Sequence, residues 1–133
     1  MNKDKLQKEV PVIALAFVGD SVYDTYIRTM LLNNGKYKPN LLHKRSSAYS
    51  KAKAQSVAYL NIKDILSNEE EKLANRGRNA KTNTMAKNAS VAEYKNATAL
   101  EALIGYLHLT NQKQRIDEIM DKIVQEIEKQ EVK

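Results

Sequence analysis

The sequence predicts an all-α protein, and three observations carry that expectation. Only four Gly and two Pro interrupt 133 residues, so the chain has few forced breaks. Apolar residues recur three and four apart over long stretches, the period of a helix face, while the strict alternation expected of strands is missing. Ser67-Asn68-Glu69-Glu70 and Ser90-Val91-Ala92-Glu93 both have the Ser-x-x-Glu form of a capping box, in which each of the two side chains satisfies a backbone N–H at a helix start.

The first ten residues read as a polar lead. Pro11 then stands near the first turn of a helix running to about Leu32, which Asn33-Asn34-Gly35 ends, the glycine supplying a left-handed cap. Projected at 3.6 residues per turn, Leu15, Val18, Gly19, Val22, Tyr23, Tyr26 and Met30 share one broad face. Ile13, Phe17, Asp20, Asp24 and Leu31 form the opposite one. Pro39 opens a second helix reaching about Leu60, basic through Lys44, Arg45, Lys51 and Lys53, with a turn at Asn61-Ile62-Lys63-Asp64. A third runs from the Ser67 cap to about Arg76-Gly77-Arg78, and a fourth from the Ser90 cap to about Thr110. The last, about Gln112 to Lys129, spaces Ile116, Ile119, Met120, Ile123 and Ile127 as an amphipathic cover. At this length residues 1–133 are expected to form one helical bundle domain, with 111–133 its C-terminal amphipathic helix.

Composition narrows the function. Without Cys, disulfide and thiolate chemistry are excluded, and a zinc site would have to use the two histidines and carboxylates. The apolar run from Pro11 to Val18 is too short to span a bilayer and has no small-residue cleavage site after it, so a cytoplasmic protein with no membrane partner is expected. Net charge is +6, but residues 28–97 alone carry +9, against −1 before them and −2 after. Such asymmetry points to a polyanion, most simply nucleic acid, contacted by the middle of the chain; a merely solvated basic face is the plainer alternative. The segment Arg76 to Asn88 concentrates Arg76, Arg78, Lys81 and Lys87 among Asn and Thr with no acid. Arg grips phosphate through two parallel hydrogen bonds, and amides such as Asn79 reach sugar or base edges.

Two acids stand where the pattern asks for buried helix. Asp20 lies in Leu15-Ala16-Phe17-Val18-Gly19-Asp20-Ser21-Val22, flanked by Ile13 and Phe17 on its own side. Glu101 is the only charge in Ala99-Leu100-Glu101-Ala102-Leu103-Ile104-Gly105-Tyr106-Leu107, and its helical neighbours Ala97, Thr98, Ile104 and Gly105 offer no counter-ion. A buried carboxylate without a partner is costly or becomes protonated. Surface acids beside a partner contact are one account; two acids meeting around a cation are the other.

These two stretches, in this order and about eighty residues apart with the basic segment between them, resemble the signature helices of ribonuclease III catalytic domains. The short chain, Tyr23-x-x-Tyr26-x-Arg28 and Arg76-Gly77-Arg78-Asn79-Ala80-Lys81 look more particularly like Mini-III, the bacterial class that lacks a double-stranded RNA-binding domain. The resemblance covers about residues 10–110. It implies a homodimeric ribonuclease III-type domain in which Asp20 and Glu101 are catalytic and bind Mg²⁺, with Mn²⁺ able to substitute. It implies hydrolysis of double-stranded RNA to 5′-phosphate and 3′-hydroxyl ends, with both strands cut across the dimer, and the 23S ribosomal RNA precursor as substrate. Arg76, Arg78, Asn79, Lys81, Lys87, Lys44 and Lys53 are the candidate RNA contacts, and Phe17 is a knob entering the partner subunit, although composition alone allows it as core. Specificity then comes from substrate structure or from an accessory ribosomal protein.

The chain also departs from the larger family members, which carry acids where this one has Ile13, Ala16 and Thr98. That leaves a full two-metal ligand set open, with Asp24 as a candidate outer carboxylate. It also motivates the alternative of a catalytically silent RNA-binding or ribosome-associated module on the same fold. A basic DNA-binding bundle rests on charge alone and leaves Glu101 unexplained.

Overall fold

The computed structural model describes residues 1–81 and 89–131, and every regular element among them is helical. In chain order these are α1 (Lys3–Lys8), α2 (Val12–Asn33), α3 (Pro39–Ser50), α4 (Ala52–Ile62), a 3₁₀ turn (Lys63–Ile65), α5 (Asn68–Asn79), α6 (Val91–Leu109) and α7 (Lys113–Glu131). α6 is the axis. From Asn96 to Leu107 every residue except Glu101 is buried, and α2, α4, α5 and α7 all pack on it. A helix apolar around its whole circumference has to be surrounded, as this one is.

The ends follow local chemistry. Both capping boxes form, Ser67 with Glu70 and Ser90 with Glu93. Gly35, at φ +80°, closes α2: its N–H reaches Leu32 O at 3.1 Å and the N–H of Lys36 reaches Leu31 O at 3.1 Å. On α7, Ile116, Ile119, Met120, Ile123 and Ile127 are all buried, as the spacing predicts.

Four expectations are corrected. The polar lead contains α1, capped by Asn2 and anchored by fully buried Leu6. The second helix is two: Lys51 is extended (ψ 147°), so α3 stays on α2 while α4 turns away to pack on α6 and α7. Gly77 lies inside α5, which continues to Asn79; a Cβ there would come within 3.0 Å of Ala102 Cβ, so the residue serves helix packing. Leu31 joins the buried stripe of α2 with Val12, Leu15, Ala16, Gly19, Tyr23 and Ile27, and Val18 and Met30 are only partly covered.

Two polar groups inside the bundle tie its helices together. Glu70, 6 % exposed, accepts two 2.8 Å hydrogen bonds from Arg115, which also donates to Ile65 O at 2.6 Å. Burial works against ionisation of Glu70, but Arg115 and the Ser67 amide outweigh it and hold its carboxyl below the ordinary range. Asn96, 4 % exposed, accepts from Arg78 Nε at 2.9 Å and donates to Ser56 Oγ at 3.0 Å, joining α4, α5 and α6.

The feature that positions the site is the crossing of α2 over α6, where the main chains touch. A Cβ on Gly19 would lie 1.7 Å from the Glu101 carbonyl oxygen, and one on Gly105 would lie 1.9 Å from the Leu15 carbonyl oxygen. Only hydrogen at both positions permits this approach.

Candidate active site

Asp20 follows Gly19, and Gly19 rests on the peptide of Glu101, so the two side chains leave the crossing together. Both carboxyls line one cleft, close enough for each to act on the other. Asp20 is exposed and Glu101 partly buried. Burial above all, then the Asp20 carboxyl and more weakly Asp24, push Glu101 up to about 9, with only the Gln55 amide acting in the other direction. Asp24 is one turn beyond Asp20 and accepts a 2.8 Å hydrogen bond from Ser50 Oγ. Around the pair is a cleft of about 350 Å³, walled by Ile13, Ala16 and Phe17 of α2, Ser50, Ala52 and Gln55 of α3 and α4, and Tyr94, Ala97 and Thr98 of α6. A larger hollow of about 450 Å³ lies beside Gln7 and Glu69, but its acid is already engaged by Tyr106, Gln7 and Lys3.

A carboxyl pushed up by the fold makes stability depend on pH. The folded chain keeps a proton on Glu101 that the unfolded chain sheds above about 4.3, so metal-free stability falls as pH rises from there to about 9. Glu101→Gln removes this penalty. In a chelating buffer it is expected to melt above the parent at pH 8, with the gap closing near pH 5 in thermal melts.

Among the described residues no group of three or more His, Asp or Glu is gathered to hold a metal ion. Two facing carboxyls are nonetheless hard oxygen donors whose crowding a divalent cation relieves. Mg²⁺ retains several of its waters and is commonly held by one or two carboxylates. The donor set of Asp20 and Glu101 fits such a hydrated ion.

A Ribonuclease III domain model matches residues 13–112, which contain both acids and both crossing helices. The chain belongs to the ribonuclease III family. It is 44 % identical over 122 residues to a Mini-ribonuclease 3 of Enterococcus faecalis, covering 90 % of this chain and 92 % of that one. It is 42 % identical over 125 residues to a Mini-ribonuclease 3 of Brevibacillus brevis, covering 92 % and 93 %. The X-ray structure of a Fusobacterium nucleatum protein superposes with a TM-score of 0.82 at 33 % identity, over 90 % of this chain and 96 % of that one.

In this ribonuclease III domain, Ile13, Ala16 and Thr98, the positions where larger relatives were noted to carry acids, all border the cleft. The acid-poor character of the site is therefore a property of the cleft wall itself. Phe17 is 80 % exposed and Ile13 39 % exposed at the rim, so the bundle leaves Phe17 outside its core.

The basic residues divide. Arg76, Asn79 and Lys81 are exposed, and Arg76 and Asn79 flank Val12, the neighbour of Ile13 at the cleft edge. Arg78 is partly buried and spends its Nε on Asn96. Lys53 is exposed in the first turn of α4, beside the cleft residue Ala52; Lys44 is exposed further off, towards the Pro39 end of α3. Lys87 lies outside the described residues. His108 is exposed and does not line the cleft. Reading along single helices passed over Ser50 and Gln55, which reach the cleft only because the chain bends at Lys51. One signal was there: from Thr25 to Lys63 the sequence carries eight Lys or Arg and no acid.

Proposed function

We propose that the chain is a divalent-metal-dependent endonuclease that cuts both strands of an RNA duplex, with the 23S ribosomal RNA precursor as substrate. Membership of the ribonuclease III family makes it a double-strand endoribonuclease, and the meeting of Asp20 and Glu101 in one cleft carries the metal-dependent reading. Asp20 and Glu101 are the residues that hold Mg²⁺, or Mn²⁺ in its place. When bound, the ion supplies a water of lowered pKa and neutralises charge on the phosphate in flight, leaving 5′-phosphate and 3′-hydroxyl ends. Ile13, Ala16 and Phe17 give the cleft an apolar rim beside the acids.

A-form RNA is recognised by shape, phosphates and 2′-hydroxyls, so an array of basic side chains suffices to select duplex. Arg76, Asn79, Lys81, Lys53 and Lys44 are the proposed contacts, with Arg78 holding the end of α5 in place as well, and Lys87 continuing the set. Neutralising Arg76 and Lys81 together is expected to lower the slope of log affinity against log salt by roughly 1 to 2, measured by filter binding; an unchanged slope removes both from the interface.

The reading includes a homodimer that sets two such clefts across one duplex. An 80 % exposed Phe beside an exposed Ile supports burial against a second copy. Phe17→Glu is expected to shift the protein to monomer in analytical ultracentrifugation and to lose double-strand cleavage with it. Action in the cytoplasm suits a cysteine-free chain, and among the described residues no helix is long and apolar enough to cross a membrane. An accessory ribosomal protein is part of the proposal: adding ribosome-bound precursor in place of naked RNA should raise the cleavage rate.

The direct test is incubation of pure protein with duplex RNA and Mg²⁺. Absence of product with Mg²⁺ and with Mn²⁺ would favour the silent RNA-binding module instead.

A further inference from the structure

Gln55 is 2 % exposed and lines the same cleft as Asp20 and Glu101. Its amide lies beside the Glu101 carboxyl and the Tyr23 hydroxyl. Even so, Gln55 Nε2 makes no hydrogen bond of proper geometry among the described residues. Buried donors are nearly always satisfied, and a Leu or Met would fill this volume without leaving one unmade. Packing alone therefore does not account for an amide here.

The neighbouring donors are already spent. Ser50 Oγ donates to Asp24 at 2.8 Å, Thr98 Oγ1 donates to Tyr94 O at 2.9 Å, and Tyr23 Oη donates to Tyr49 O at 2.6 Å. Gln55 is itself fixed at its root, because its backbone N–H bonds Lys51 O at 3.1 Å across the bend between α3 and α4. A carboxylate that ligates a cation through one oxygen needs a donor for its other lone pairs, and such outer partners set the ligand's orientation.

We propose that Gln55 is a positioning residue of the metal site, its side-chain N–H donating to the Glu101 carboxylate when that group serves as a ligand. This rests on the assignment of Asp20 and Glu101 as the cation site. A Glu101 that ligates the ion gives the buried Gln55 Nε2 its acceptor, and α4 reaches the reaction through its fourth residue without touching substrate.

The experiment compares the parent with Gln55→Leu, and with Gln55→Met should the branched side chain not fold. Mn²⁺ binding is followed by electron paramagnetic resonance, alongside melting temperature in chelating buffer and kcat and KM on one duplex. Removing the donor is expected to leave the metal-free melting temperature at or above that of the parent and to weaken Mn²⁺ binding about 10- to 100-fold. It should lower kcat at subsaturating metal with KM for duplex unchanged. Parent-like Mn²⁺ affinity in a folded Gln55 variant overturns the proposal. Asp20→Asn separates the two readings: if it too binds Mn²⁺ like the parent, the cation site itself is misplaced, whereas loss there with retention in Gln55→Leu sinks only the role of Gln55.

Discussion

Asp20→Asn and Glu101→Gln are each expected to lower duplex cleavage about 1,000-fold while duplex affinity stays within about threefold. The reduction corresponds to about 4 kcal/mol of lost transition-state stabilisation, in the range a metal and its activated water supply. In the proposed arrangement affinity is spared, because the phosphate contacts are assigned to Arg76, Lys81, Lys53 and their neighbours and the acids add only repulsion. The two amides keep the shape of the acids they replace, so the cleft is preserved. Single-turnover cleavage at saturating protein, with gel-shift binding in Ca²⁺, separates the effects. Cleavage within tenfold of the parent by either variant would remove that residue from the chemistry. The double variant should be no worse than either single one if, as proposed, the two acids hold one ion between them.

Gly105→Ala is expected to abolish folding near 37 °C, a loss of about 4 kcal/mol or more. The added Cβ would meet the Leu15 carbonyl oxygen at 1.9 Å and its carbon at 2.8 Å, and both belong to backbone. No rotamer change can relieve that overlap, so α2 and α6 must separate along their contact and open the core on either side. Gly19→Ala meets the Glu101 peptide in the same way, at 1.7 Å. Gly35→Ala is the control, because nothing lies within 4 Å of its Cβ and only the left-handed backbone at φ +80° resists it, at about 1 kcal/mol. Urea denaturation should place Gly35→Ala slightly below the parent and find no cooperative transition for Gly105→Ala.

How much was legible depended on whether the signal was local. Both capping boxes, the end of α2 at Gly35 and the apolar face of α7 depend on residues close in sequence, and each stood out. α1 did not, because its one core contact is Leu6 in an otherwise polar segment, and its reason to exist is the groove it covers. The break at Lys51 carries no Gly or Pro; the demand comes from α6 and α7, which α4 must reach. The projection of α2 misplaced Leu31 for a related reason. Its first half packs on α6 at Gly19 and its second half on α3 at Tyr23 and Leu31, so the buried stripe winds around the helix.

The site shows the same division. Asp20 and Glu101 were visible because each contradicts the apolar run around it. Gln55 was not, since a Gln amid Ala and Ser is ordinary helix composition. Its significance comes from a buried side-chain N–H without a hydrogen bond in a place only the tertiary fold creates.

The contact between Gly19 and Gly105 also governs how such a centre ages and breaks. The gap between its acids is ruled by two rigid rods pressed together at their spines, so worn or exchanged packing elsewhere, in α7 for example, cannot gradually detune it. Heat, or a change of packing away from the crossing and the cleft, should leave each surviving molecule at full catalytic strength and reduce only the number of survivors, so activity per folded molecule stays level until the bundle melts.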